Sequence, residues 1–159
     1  MKAWMVLAAV LCVTVGAHAY EPTEESRVVY EEAQRRRAAV GLGRQEHDPG
    51  LASIAQRVAN WQASRGAMGH TSLGDNFVAY GAGPVGTVSM WMNSGPHRAH
   101  LTSGHRFCGY GFARSASGTT FAAAIFRSHR AEICDPTDLS GIAGNGGGGD
   151  RGWLRWRRR

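Results

Sequence analysis

Apolar positions recur every three to four residues between 23 and 66, whereas between 107 and 126 they crowd into two short runs, so helices come first and strands last. Residues 23–40 interleave Glu and Arg with Val28, Val29, Ala33, Ala38 and Ala39, and end at Gly41-Leu42-Gly43. Acidic in its first turns and basic in its last, this segment complements the helix dipole, and the glycines supply a stop. Asp48-Pro49 then provides an N-cap followed by a first-turn proline. Leu51, Ile54, Ala55, Val58, Ala59 and Trp61 continue at helical spacing to Gly66.

From Ala67 to Pro84 no period persists, which predicts a long irregular loop of the kind that carries function in a small domain. Val85, Val88, Met90, Trp91 and Met92 predict a third helix ending near Asn93. Ser94-Gly95-Pro96 breaks it, and residues 97–101 form a second short helical piece. Residues 107–113 and 119–126, joined through Ser115-Ala116-Ser117-Gly118, predict a β-hairpin. This order predicts an α+β domain whose helices cover an antiparallel sheet.

The flanks read differently. Met1-Lys2, an apolar run over 3–13 and Ala17-His18-Ala19 predict a signal peptide over residues 1–19, cleaved after Ala19, and hence a secreted, periplasmic or extracellular protein. The run falls short of the ~18 apolar residues of a membrane span, although a leader retained as an anchor is the rival reading. The folded domain is assigned to residues 20–134. Residues 135–159 read as a disordered extension: a Gly-rich linker over 141–149, then a tail in which Trp153 and Trp156 alternate with arginines. That tail suits an anionic envelope or membrane surface, or else stays solvated without a partner.

Eighteen basic against twelve acidic side chains give a net charge of +6, but most of the excess lies in the tail and at Lys2. The domain itself is nearly neutral, so its charge indicates no specific nucleic-acid partner. Cys12 departs with the leader, leaving Cys108 and Cys134. An even pair in an oxidising compartment predicts one disulfide, contributing roughly 3 kcal/mol by closing the loop between them; two separate buried thiols are the alternative.

Candidate chemistry concentrates on histidine. His70 lies in the irregular loop with Asp75 five residues on, and His97 follows the break after the third helix. Two imidazoles and a carboxylate are a donor set for a divalent metal such as zinc, while His97 and His100, three apart on one helical turn, are a competing pair. The chain has no Gly-x-Ser-x-Gly elbow, no His-Glu-x-x-His helix and no phosphate-binding glycine loop. Nothing specifies a nucleophile with its base.

Read in order, these segments resemble the CAP superfamily of cysteine-rich secretory, antigen-five and pathogenesis-related proteins (SCP domain) in its compact bacterial form. The resemblance rests on Gln34-x-x-Arg37 before Gly41-Leu42, Asp48-Pro49-x-Leu51 with Ala55 and Ala59, Met68-Gly69-His70, Gly74-Asp75-Asn76, the stretch from Val88 through Trp91-Met92-Asn93-Ser94-Gly95-Pro96-His97-Arg98-Ala99-His100-Leu101, and Gly109-Tyr110-Gly111. It implies a three-layer α-β-α sandwich with a cleft where His70, Asp75 and His97 converge as a possible divalent-metal site, supported by Asn76 and Arg98. It also implies small-ligand or lipid binding as seen in some members, and no general catalytic activity. Asp75 stands where the family has Glu, one methylene longer, so it would reach a metal through water.

Structural roles compete with these. Arg98 has Glu31 or Glu32 as possible ion-pair partners, Asn76 can satisfy loop backbone, and Trp61 and Trp91 read as core. Three functions follow: a non-catalytic binding protein, a metal-assisted hydrolase in which Asp75 orients a metal-bound water, and a scaffold whose basic tail binds anionic surfaces.

Overall fold

The computed structural model describes residues 20–71 and 77–142; residues 1–19, expected to be a leader, Asp75, Asn76 and residues 143–159 of the expected tail lie outside the described residues. Helix α1 (Glu24–Ala39) opens on Thr23, whose Oγ1 accepts from the Ser26 amide at 3.2 Å. It closes with Gly41 in the left-handed region. Strand β1 (Glu46–His47) is only two residues long. Helix α2 (Pro49–Arg65) is capped by Asp48, which accepts from the Leu51 amide at 2.9 Å, and stops at left-handed Gly66. Strand β2 (Phe77–Tyr80), helix α3 (Pro84–Asn93), helix α4 (Gly95–Leu101) and the hairpin of β3 (Phe107–Arg114) with β4 (Thr120–Arg127) complete the elements among the described residues.

The four strands are ordered β1-β3-β4-β2. β3 and β4 pair antiparallel over their full length, β2 adds antiparallel to β4, and β1 runs parallel to β3 with His47 opposite Cys108. The hairpin stands as the sequence predicts, while β1 and β2 are additions. β2 falls inside the stretch read as irregular; its four apolar residues show no alternation, the one pattern that marks a strand in isolation.

Strand alternation sorts the core into two layers. Cys108, Tyr110 and Phe112, with Ala122, Ala124 and Phe126, face Val29 and Ala33 of α1, Val88 and Trp91 of α3 and Leu101 of α4. Phe107, Ala123 and Ile125 face Leu51, Ala55, Val58 and Ala59 of α2. The result is the three-layer α-β-α sandwich. On the α2 side β3 presents Gly109 and Gly111, and a Cβ built on them would fall 2.1 Å from the Leu51 carbonyl carbon and 2.3 Å from that of Ala55. Helix backbone therefore lies directly on strand backbone, an approach that requires glycine on the strand.

Buried amides complete the frame. Gln56 of α2 donates to the Phe112 carbonyl at 2.8 Å and accepts from its amide at 3.1 Å, supplying both ladder bonds where β1 is too short to reach. Gln34 accepts from the Gln45 amide at 2.7 Å, and Arg37 donates to the carbonyls of Gly43, Leu101 and Ser103 at 3.0, 2.8 and 2.8 Å. The Gln34-x-x-Arg37 pair thus ties α1 to the loops around it.

The chain packs beyond Cys134, past the boundary expected from sequence. The Cys134 amide donates to Ser53 Oγ at 3.0 Å, Asn60 Nδ2 to the Pro136 carbonyl at 2.8 Å, and Arg57 to the carbonyls of Asp138 and Ser140. These α2 residues lie three to four apart on one stripe, so the segment to Ser140 is strapped along the helix.

Candidate functional site

The end of α2 positions the first histidine. Gln62, fully buried, donates from Nε2 to the Gly69 carbonyl at 2.8 Å, and Gly69 lies against the Trp61 ring so closely that a Cβ there would stand 3.2 Å from it. The loop is held through its backbone, leaving the His70 side chain exposed while Thr71 is buried.

The junction of α3 and α4 positions the second. Ser94 ends α3 and caps α4, its amide donating to the Trp91 carbonyl at 3.2 Å and its carbonyl accepting from the Arg98 amide at 2.8 Å. Trp91, buried in the core, fixes this corner. Ser94 Oγ and His97 Nδ1 are hydrogen-bonded at 2.8 Å, which sets the orientation of the half-buried imidazole.

His70, His97 and His100 share one electrostatic neighbourhood. Burial lowers the His97 pKa from its ordinary value, and the charges of His70 and then His100 lower it further. At neutral pH the His97 ring is consequently uncharged, the form in which imidazole is a ligand or a base. Among the described residues no group of three or more His, Cys, Asp or Glu side chains forms a metal-holding set, and Asp75 lies outside them.

Arg98 donates to the Met92 carbonyl at 3.2 Å, and the two carboxylates considered as its partners are paired elsewhere. Glu31 pairs with Arg44 at 2.8 Å, and Glu32 accepts from both Arg35 and Arg36. Trp61 and Trp91 are core, as read.

The expected disulfide is corrected by the structure: Cys108 and Cys134 are both free thiols. Cys108 points with Tyr110 into the α1/α3 layer, where Gln34 Nε2 lies 3.9 Å from its sulfur, and burial pushes the thiol up to about 12. Cys134 lies on the opposite face at Ser53, 3.5 Å from Oγ. The sheet stands between them, so the two side chains face different layers. Counting cysteines could not reveal this, because it depends on which face of β3 residue 108 takes.

Sequence reasoning also missed Gln56 and Gln62, the amides that hold the frame. Their signal was a polar residue at a helical position otherwise reserved for core, on the stripe with Leu51, Ala55 and Ala59.

No family model matches the chain, and no curated protein matches it. Solved structures do. An outer surface protein from Borrelia burgdorferi matches with a TM-score of 0.59 at 18% identity, covering 67% of this chain and 93% of that one. A cysteine-rich secretory protein from Staphylococcus aureus matches with a TM-score of 0.51 at 23% identity, covering 66% of this chain and 38% of that longer one. The chain has a CAP-like fold.

Proposed function

We propose that this CAP-fold chain acts outside the cytoplasm as a non-catalytic binding protein, taking a divalent ion or a small ligand at the cleft between the His70 loop and the start of α4. The observation that carries this reading is the hydrogen bond of 2.8 Å between Ser94 Oγ and His97 Nδ1, which orients a half-buried imidazole whose pKa is lowered by burial and by the charges of His70 and His100. The described residues supply the imidazoles. A zinc ion would need a further donor, and Asp75, five residues beyond His70, is the side chain assigned to it, with Asn76 supporting the loop.

Export is proposed on the leader over residues 1–19 and fits the two structural neighbours, one an outer surface protein and the other a cysteine-rich secretory protein. Among the described residues no helix is long and apolar enough to cross a membrane. The basic tail would bring the domain to an anionic surface.

Calorimetric zinc titration of residues 20–159 after chelator treatment tests the site, alongside His70→Ala and His97→Ala. Stoichiometric uptake abolished by both substitutions is expected. Absence of uptake, or normal uptake by both variants, overturns the metal reading. Zinc-dependent turnover in a general hydrolysis screen would overturn the non-catalytic one.

A further inference from the structure

The run Glu46-His47-Asp48 works on both sides of the sheet. Glu46 stands opposite Phe107, which faces α2, and His47 stands opposite Cys108, which faces α1. Side chains at one register of neighbouring strands share a face, so alternation sends Glu46 and Asp48 to the α2 side and His47 to the α1 side.

On the α2 side the two carboxylates hold the start of the strap. Arg130 pairs with Glu46 and, at 3.4 Å, with Asp48, and the Ala131 amide donates to Asp48 Oδ1 at 3.1 Å. The same Oδ1 caps α2 through the Leu51 amide at 2.9 Å. Farther on, Ser53, Asn60 and Arg57 hold the strap by its main chain, while most of its side chains, Ile133 among them, face solvent. A segment held by polar contacts with so little apolar burial lies at the low-stability end of a fold.

On the α1 side the His47 ring lies edge-on to Tyr30, centroids 5.0 Å apart, and its Nε2 is buried without a hydrogen-bond partner. The charged and titratable groups around it are Arg27 and Tyr30 of α1, its neighbour Asp48, and Cys108 on the paired strand. Arg27 is engaged by Glu21 at 3.1 Å, and the Tyr30 hydroxyl donates to the Gln45 carbonyl at 2.9 Å while Arg44 covers its ring. Among the described residues none is placed to accept from a protonated Nε2, so a charged imidazole is stable only where water reaches it. Burial, the largest cause, accordingly lowers the His47 pKa. β1 is also the strand most easily displaced, since it pairs with β3 over two residues only.

We propose that residues 46–48 are an acid-sensitive latch: protonation of His47 lifts β1 from α1, Glu46 and Asp48 lose their hold on Arg130 and Ala131, and the strap over 130–140 swings off α2. The Leu51 amide belongs to α2 and stays with Asp48, whereas the Ala131 amide belongs to the strap, so displacement of β1 takes the bond from the strap first. Ser128 and His129, both exposed, form the hinge. This device is separate from the histidine cleft and does not rest on how that cleft is read.

The test is amide hydrogen exchange by NMR on residues 20–159 at pH 7.5 and pH 5, each rate divided by that of the unfolded chain. The range stays above the ordinary carboxylate pKa values of about 4, so histidines are the side chains that titrate. Protection of the Ala131 and Cys134 amides is expected to fall roughly tenfold, under a ceiling of about thirtyfold set by a histidine of ordinary pKa in the open state. At both pH values it is expected to stay well below that of the Ala123 and Ile125 amides in the central strand β4, which marks opening short of unfolding. His47→Gln and His47→Phe, neutral throughout, are expected to abolish the fall. His129→Gln, in the hinge, and His105→Gln, whose Nδ1 lies 3.5 Å from Ser128 Oγ, are expected to retain it. A strap indifferent to pH, strap protection equal to that of β4, a fall that survives in either His47 variant, or one lost in His129→Gln or His105→Gln overturns the proposal.

Discussion

Replacing Gly111 by alanine is the sharpest perturbation of this fold, because one methyl group meets only backbone. Its Cβ would lie 2.3 Å from the carbonyl carbon and oxygen of Ala55 and from the Gln56 nitrogen. No rotamer change relieves that contact, so α2 must rise from the sheet by about 1 Å to restore ordinary contact, a gap that forfeits a quarter to a half of the dispersion along the interface. Overpacking of this kind costs about 1–3 kcal/mol by itself. The same displacement stretches the two Gln56 bonds to Phe112, now 2.8 and 3.1 Å, each worth about 1 kcal/mol. The expected loss is therefore about 3–5 kcal/mol, a large part of a small domain's stability. Urea denaturation followed by tryptophan fluorescence measures it, with Gly95→Ala as control, since nothing lies within 4 Å of a Cβ at Gly95. Gly95→Ala is expected to be neutral. A Gly111→Ala protein within about 1 kcal/mol of the parent would refute the claim that helix and strand backbones are in contact.

Two further predictions concern titratable groups. Burial lowers the His47 pKa, with Asp48 opposing and Arg27 adding to the shift, so the unfolded chain binds more protons at this position as the pH falls below the ordinary histidine value. Its contribution to stability is therefore complete above about pH 6.5 and lost as pH falls through the lowered folded value, and denaturation midpoints between pH 7.5 and 5 should fall less steeply in His47→Gln. Thiol titration of the chain without its leader should find one reactive group in the native state, Cys134, and a second on unfolding, since Cys108 is fully buried with its pKa raised to about 12. A count of zero in both states would restore the disulfide.

Amino-acid order alone determined what depends on neighbours in the chain. Thr23 and Asp48 fix helix starts, Gly41 and Gly66 fix helix ends, and Ser115 through Gly118 separates two runs that pair with each other. Those features act within a turn or two, so their pattern is legible before folding. The histidine candidates were legible too, as residue types at suggestive spacing, and so was the Gly-Tyr-Gly run of β3.

Tertiary structure decided what depends on direction and distance. The face taken by Cys108 separated it from Cys134, the partner strand turned residues 77–80 into β2, and Gln56 became a substitute strand only once α2 lay on Phe112. The charge of His70 reaches His97 only because Gln62 and Ser94 hold two corners of the chain that lie far apart in sequence. A side chain reversed by one strand position, or a loop released from one buried amide, would break each of these relations while leaving the local pattern of the sequence almost unchanged.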